Sequence, residues 1–430
     1  MRIRPLAAAA AILAVAPAAA VASWSAPARV SASDGAVYAA PSVALGSGGE
    51  AIAAWIRRPD GSARRAGRVQ LATRSAGERG WSRPRTLSGP GASTPRPALN
   101  KDGDALAAWA NGRLLLGALR RGPDGRWAPR RVTATGGPVQ RIAVAVDAGG
   151  RGTVLWSERR GSGHLVRLAT RASPRAGWSV RSPRLAVPGP EAPALALGAR
   201  GALVGWIDDG RVRAARTVDG AFERPAEMSA PEAEDPGVAL SPGGGALTSW
   251  SVRLPGGTSV LQAAGRRGME SRWSAPEDLG IGNAPVVALD DRGDAVVAWD
   301  LGDPGEPQGV EAATRRGRGS WRTSTIVPRT GCECVLSVAG AAVDPAGTAV
   351  VSWRREDERG PGAGGVAALA RGADEWLRPP AEPVRAPGAP AVGVGTSPGA
   401  LAAWVQQGAG AGVRVVSLSG GGRFGFRRRG

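Results

Sequence analysis

The stretch VALDDRGDAVVAW, residues 287–299, sets two short apolar runs on either side of an Asp-Arg-Gly turn and ends in Trp. Short runs rich in Val and Ala, bounded by Gly, Pro and Asp, are the grammar of a β-hairpin. The same pattern recurs as VALGSGGEAIAAW ending at Trp55, ALNKDGDALAAW at Trp109, VAVDAGGRGTVLW at Trp156 and LALGARGALVGW at Trp206. Three further copies are VALSPGGGALTSW at Trp250, AAVDPAGTAVVSW at Trp353 and VGVGTSPGALAAW at Trp404. Counting the stretch that ends at Trp299, there are eight copies, spaced 44 to 54 residues apart.

A second motif alternates with the first: an aromatic residue, often Ser, then Pro and an apolar residue. It falls at Trp24, Trp81, Trp127, Trp178, Phe222, Trp273, Trp321 and Trp376, with a degenerate form at Phe424. Together the two motifs use all 15 Trp of the sequence, which otherwise has one Tyr and three Phe. In the sixth unit the strands read as Ala284–Asp290, Asp294–Asp300, Gly309–Arg315 and Ser320–Val327. No window carries a sustained helical stripe. Four antiparallel strands repeated at about 40–50 residues are the signature of propeller blades. The expected fold is therefore all-β, a β-propeller of four-stranded blades, eight in number, with seven as the alternative. The recurrent Trp are expected as core, filling the space between sheets, with sugar stacking as the competing role.

Trp24 begins a fourth-strand motif with no first three strands ahead of it. Residues Ser23–Ser31 are therefore expected to close the ring as the outer strand of the last blade, beside Gly412–Leu418. Such closure removes two open sheet edges. The alternative leaves Trp24 outside and lets Phe424 complete the last blade. The expected domain is a single propeller over residues 23–422, followed by a basic tail or spare edge strand at 423–430. Ahead of it, Arg2 and Arg4, the apolar run Leu6–Val15 and the small residues Ala20-Val21-Ala22 read as a signal peptide cleaved after Ala22. Its apolar core is too short to span a bilayer, which takes about 20 residues. The expected product is exported, without a membrane span, and monomeric.

At the level of the whole unit, the pattern VAVD-x-x-G-x-A-x-x-x-W, then A-T-R, then W-S-x-P resembles repeats of secreted bacterial β-propellers of the sialidase-like and WD-repeat-like group. The resemblance covers nearly all of the expected mature chain and concerns architecture. It carries no activity, because propellers host enzymes, lectins and scaffolds alike. The turn at residues 290–299 is reminiscent of the sialidase Asp box, but it lacks the preceding Ser and has a longer Gly-to-Trp spacing.

Chemistry is sparse. Sialidases use a Tyr–Glu nucleophile, and the one Tyr, Tyr38, reads as part of a linker with no such setting. A nucleophilic triad needs a His base, and the one His, His164, reads as an exposed residue of the hairpin before a third strand. Other glycosidases need two carboxylates. Candidates that depart from the repeat are Asp208, Asp209, Asp300, Asp303, Glu356 and Asp357, all read as following a second strand, where a loop could present them on one ring face, with plain solvated charges as the competing reading. Calcium at Asp290, Asp291 and Asp294 is conceivable, against a simple Asp-Gly turn; otherwise no cofactor and no metal is expected. Cys332 and Cys334, the only cysteines, are expected to form a local disulfide in an exported protein, with free or intermolecular thiols and then a metal site as the alternatives.

The chain has 55 Lys and Arg against 36 Asp and Glu, a net charge of +19, with Lys101 the single Lys. A charge this large favours anionic partners. Arg74, Arg120, Arg171, Arg315 and Arg371 recur at the end of the third strand, with Arg216 and Arg266 one residue out of register. Two readings stand: a guanidinium ring that binds carboxylate, sulfate or phosphate polymers, or arginines that each pair locally. Nucleic acid is disfavoured by the expected export and by the lack of stacking aromatics outside the core positions. The function expected is non-enzymatic binding of a protein or an anionic glycan, with a glycoside hydrolase or lyase as the alternative.

Overall fold

The structure is a computed structural model and describes residues 23–419 apart from Ser47 and residues 60–65, 219, 269–271, 304–305, 330–333, 358–361, 381–389, 395–398 and 408–410. The expected leader at residues 1–22 and the tail with Phe424 lie outside the described residues.

Eight antiparallel sheets follow one another along the chain, and no helix occurs among the described residues. Blade 1 takes its first three strands from Val37–Leu45, Ala51–Arg58 and Arg68–Arg74; blade 2 from Ala92–Leu99, Ala105–Asn111 and Leu114–Arg120; blade 3 from Val139–Val146, Gly152–Arg160 and Gly163–Arg171. Blade 4 follows with Ala194–Gly198, Gly201–Asp208 and Arg211–Val218, and blade 5 with Ala233–Leu240, Ala246–Arg253 and Ser259–Arg266. In blade 6, Asn283–Leu289, Ala295–Asp303, Glu306–Arg315 and Arg322–Val327 lie within a few residues of the four strands read from the sequence. Blade 7 runs through Cys334–Val343, Ala349–Asp357 and Ala363–Leu369, and blade 8 through Ala391–Val394, Ala400–Gln406 and Gly412–Ser419.

Each first strand touches the first strands of both neighbouring blades, and that of blade 8 touches that of blade 1, so the ring closes at eight. The clasp is the N-terminal segment. Ser23 and Trp24 pair with Ser419 and Leu418, and Ala28 and Arg29 pair with Val415 and Arg414. The Trp24 indole also donates to the Leu377 carbonyl of blade 7 at 3.1 Å. The outer edge of blade 8, which would otherwise offer unpaired backbone groups, is thereby covered.

The core is distributed over the eight seams between blades. Each seam holds one apolar cluster drawn from two neighbours, such as Trp109 of blade 2 with Ile52 and Val69 of blade 1. All eight second-strand Trp are buried, none more than 4% exposed. Around them stand Ala side chains, among them Ala53, Ala54, Ala107 and Ala108, small enough for strands that converge on the axis. Truncating one such Trp to Ala costs about 3–5 kcal/mol.

Several local readings change. The aromatic of the second motif mostly precedes its fourth strand, as Trp127 precedes Ala128–Ala134 and Trp178 precedes Ser179–Val187. In blade 7 the fourth strand is reduced, among the described residues, to a single bridge between Ala368 and Leu377. Tyr38 is not in a linker but inside the first strand of blade 1, where its hydroxyl donates to Asp34 at 2.7 Å. His164 is not an exposed loop residue; it is buried in the third strand of blade 3, and burial lowers its pKa. Cys334 is disulfide-bonded, while Cys332 lies outside the described residues.

Candidate functional site

Six units carry a Pro at the same place in the first-strand motif: Pro41, Pro95, Pro193, Pro236, Pro285 and Pro390. In four of them the preceding residue is left-handed, with φ of +48° at Ala40, +47° at Thr94, +52° at Asp235 and +51° at Ala284. A residue before Pro is normally pushed to extended backbone, and a left-handed residue with a Cβ costs about 1–3 kcal/mol. The strain sits in a bulge. In blade 5, pairing breaks after Glu234 with Ser251 and resumes at Gly237 with Ser249, so Asp235 and Pro236 together face Trp250. Blades 1, 2 and 6 repeat this two-against-one arrangement opposite Trp55, Trp109 and Trp299. Bulges of this kind re-aim side chains next to sites.

The side chains are re-aimed into an axial cavity of 770 Å³ walled by the first strands of blades 2 to 7. That volume lies within the roughly 300–1,000 Å³ of ligand pockets. Blades 2 and 3 contribute Arg96 and Arg141; blades 4 and 5 contribute Glu191 and Asp235. The lining is thus bipolar, cationic on one arc and acidic on the next.

One charged group on each arc is perturbed by its surroundings. Burial within the wall, then the charge of Arg141, holds the Arg96 pKa below its ordinary value. Neither guanidinium makes an ion pair among the described residues. Across the cavity, burial followed by the charge of Glu234 raises the Asp235 pKa, although the backbone N–H of Ala284 donates to its carboxylate. Its side chain stands open to the cavity while walled in by neighbouring blades. Asp300 lies behind this wall, 6% exposed, in the seam between blades 6 and 7. Its Oδ1 accepts the backbone N–H of Val338, one of the residues at the irregular pairing of blade 7's first strand. Burial first, with the charge of Asp235 added, pushes the Asp300 pKa up to about 7, against the opposing hydrogen bond and Arg354. Of the carboxylates singled out in the sequence, Asp300 is the one that couples to the cavity. Asp208 pairs with Arg213 at 2.9 Å and Glu356 with Arg354 at 2.8 Å, Asp209 sits in a turn, and Asp303 and Asp357 end their strands.

The arginines of the third-strand ends lie at the opposite face, beside the turns between first and second strands. Arg74, Arg120, Arg171 and Arg315 pair with Ala51, Ala105, Gly152 and Ala295, the opening residues of their second strands. Their guanidiniums are turned inward onto the second motif, 5.4 Å from the ring centre of Trp81, 5.3 Å from Trp127, 5.8 Å from Trp178 and 4.5 Å from Trp321. Arg171 is wholly buried and donates to the carbonyls of Ala176, Ala128 and Pro174. Arg371, more exposed, reaches Asp294 at 3.5 Å. This is the local-pairing reading of the arginines: a staple of Arg on Trp in blades 1, 2, 3, 5 and 6.

The same face holds the residues considered for calcium. Asp290 Oδ1 accepts the N–H groups of Arg292 and Asp294 at 2.9 and 2.8 Å, Asp294 Oδ1 accepts Gly317 N–H at 2.8 Å, and Asp291 accepts Gly243 N–H. These are turn contacts. Among the described residues no three or more His, Cys, Asp or Glu side chains gather as a metal site.

No protein-family model matches the chain, and no curated protein matches it. Among solved structures it is similar to a protein of unknown function from Dyadobacter fermentans, at 17% identity and a TM-score of 0.40 over 67% of this chain and 96% of that one. It is also similar to the polysaccharide lyase Uly1, at 10% identity and a TM-score of 0.45 over 73% and 87%. A third likeness is to the NanB sialidase from Streptococcus pneumoniae, at 11% identity and a TM-score of 0.39 over 77% and 67%. At these identities the likeness is one of fold. No described helix is long and apolar enough to cross a membrane.

Arg96, Arg141, Glu191 and Asp235 did not stand out in the sequence. The signal that marks two of them is the bulge Pro, which directly precedes Arg96 and directly follows Asp235.

Proposed function

We propose that the protein is an exported binding propeller whose axial cavity receives an acidic sugar unit of a glycan. The observation that carries this reading is the pair of cavity guanidiniums, Arg96 and Arg141, with no carboxylate upon them among the described residues. A bound carboxylate or sulfate relieves their mutual repulsion and accepts charge-assisted, bidentate hydrogen bonds. On the acidic arc, Asp235 and Glu191 are acceptors suited to sugar hydroxyls, and they disfavour a second anion close by. A saccharide with one acidic group and several hydroxyls matches both arcs. A nucleic-acid strand, charged at every residue, matches only one.

The test is calorimetric titration with trigalacturonate and with its neutral galactose counterpart. Binding of the acidic trisaccharide should weaken at least tenfold, about 1.4 kcal/mol, in the Arg96→Ala/Arg141→Ala double variant. It should be unchanged in Arg371→Ala. Equal affinity of the wild type for both trisaccharides refutes the assignment.

A second reading, cleavage of the same glycan, is favoured by the electrostatic coupling of Asp235 to a carboxyl that keeps its proton near neutrality. New reducing ends or unsaturated products, abolished by Asp235→Asn, would move the protein to that class.

A further inference from the structure

At seven of the eight seams the aromatic of the second motif is Trp, packed against a cluster that bridges two blades. Trp81, Trp127, Trp178, Trp273, Trp321, Trp376 and Trp24 occupy these places. The way Trp178 fits shows how tightly the plug closes: a Cβ added at Gly117 of blade 2 would stand 2.7 Å from its ring. The seam between blades 3 and 4 departs from the series. Its aromatic is Phe222, a ring smaller, delivered on the short hairpin in which Thr217 pairs with Phe222. Opposite it, Leu168 of blade 3 stands where blade 2 has Gly117.

That seam is open. A pocket of 240 Å³ lies there, on the face away from the acidic and basic arcs of the axial cavity. Phe222 and Leu168 form its apolar side; Thr153, Thr170, Asp147 and Arg151 form its polar side. Thr153 and Thr170 are a cross-strand pair, and neither hydroxyl has a hydrogen-bond partner among the described residues. Asp147 Oδ1 accepts the Arg151 backbone N–H at 2.9 Å, and its Oδ2 is 3.9 Å from the Arg151 guanidinium, a loose pair. An aromatic face opposed by hydroxyl, carboxylate and guanidinium groups offers one apolar surface and several directional partners, the usual make-up of a small-ligand pocket.

We infer that the open seam between blades 3 and 4 is a second binding site, for a single neutral sugar ring laid on Phe222. A pyranose has an apolar C–H face for the aromatic ring and edge hydroxyls for Thr153, Thr170 and Asp147. Asp147 and Arg151 nearly neutralise each other, so the pocket selects no net charge. The volume admits one ring, not a chain. This site is independent of the axial cavity and stands whether or not the anionic-glycan reading does.

The test is saturation-transfer NMR on the whole protein, with the methyl glycosides of glucose, galactose and mannose at millimolar concentration. At least one should receive saturation at its ring protons, undiminished in Arg96→Ala/Arg141→Ala. Phe222→Trp restores the residue found at the other seven seams and should raise the melting temperature while reducing the transfer at least tenfold. Thr153→Val/Thr170→Val keeps the volume, removes both hydroxyls, and should weaken binding by a similar factor. The inference is overturned if none of the three glycosides receives saturation from the wild type. It is equally overturned if transfer survives in both the Phe222→Trp and the double Thr variants.

Discussion

Asp300 offers a sharp physical test because its charge state is decided by the seam it occupies. The side chain is 6% exposed, and burial together with the negative charge of Asp235 lifts its pKa from 3.8 to about 7. Between those values the unfolded chain has released this proton and the folded protein has kept it. The folded state therefore binds more protons, and stability falls as pH rises through the window, with the full penalty reached above pH 7. A shift of about three units at 1.36 kcal/mol each is about 4 kcal/mol. Asp300→Asn removes the titration and keeps an oxygen to accept the Val338 N–H. Its new amide donors lack a partner in the seam, a cost of about 1–3 kcal/mol that does not change with pH. The variant should thus be the less stable protein near pH 4 and the more stable one at pH 8.5. The measurable quantity is the difference in unfolding free energy between variant and wild type, from urea titrations at closely spaced pH. Carboxylates that do not interact with Asp300 cancel in that difference, which reports Asp300 together with its coupling to Asp235 and should swing by about 4 kcal/mol across the window. A difference that stays flat within about 1 kcal/mol from pH 4 to 8.5 would mean that Asp300 ionises freely in the folded protein, and the seam argument fails.

Two more outcomes follow from the wall of the cavity and from the Arg staples. Asp235→Gly relieves a left-handed position but also removes the acceptor of the Ala284 N–H; each effect is worth about 1 kcal/mol and they oppose each other, so its urea midpoint should barely move while its affinity for trigalacturonate falls. Arg171→Ala orphans three buried carbonyls and should cost roughly 3 kcal/mol or more, lowering the melting temperature, yet it should leave trigalacturonate affinity at 20 °C unchanged, because its guanidinium has no exposed surface to offer a polymer.

The sequence makes the blades readable because each blade solves the same packing problem with the same residue. A Trp at the end of the second strand fills a seam that widens outward, and Ala fills the side that narrows, so the period appears directly in the spacing of Trp55, Trp109 and their successors. The closing strand is readable for a related reason: Trp24 carries the second motif without the strands that should precede it. The site resists the same reading. Side-chain alternation in a strand predicts which face a residue takes, but a two-against-one bulge resets the alternation midway. Counted back from Leu99 or from Leu240, the alternation says little about where Arg96 or Asp235 points once Pro95 and Pro236 have inserted an extra residue. Asp300 was visible as a departure from the repeat, but not its position behind the wall: the residue after the second-strand Trp is Ile56, Ala110 and Ile207 in other blades, and only the ring geometry turns that place into a seam.

The net charge of +19 is a poor guide to where an anion would bind. Several of the arginines that make the repeat look like a cationic ring spend their charge inside the blade. They lie over Trp rings, on backbone carbonyls, or, in Arg266, on both oxygens of Glu223 at 2.6 and 3.0 Å. A guanidinium so engaged contributes to long-range steering of an approaching polyanion, yet it is turned inward, onto a Trp ring, a carbonyl or Glu223, and not toward a ligand. Arg96 and Arg141 are the reverse case. They add only two charges to the total, but they face a cavity and each other, and burial, then the charge of Arg141, depresses the Arg96 pKa. Recognition depends on donors that gain a partner on binding, and the five arginines that lie over second-motif Trp rings, Arg74, Arg120, Arg171, Arg266 and Arg315, are already engaged inside the ring. Two guanidiniums at the axis, opposed by Asp235 and Glu191, therefore carry more information about the ligand than the remaining excess charge.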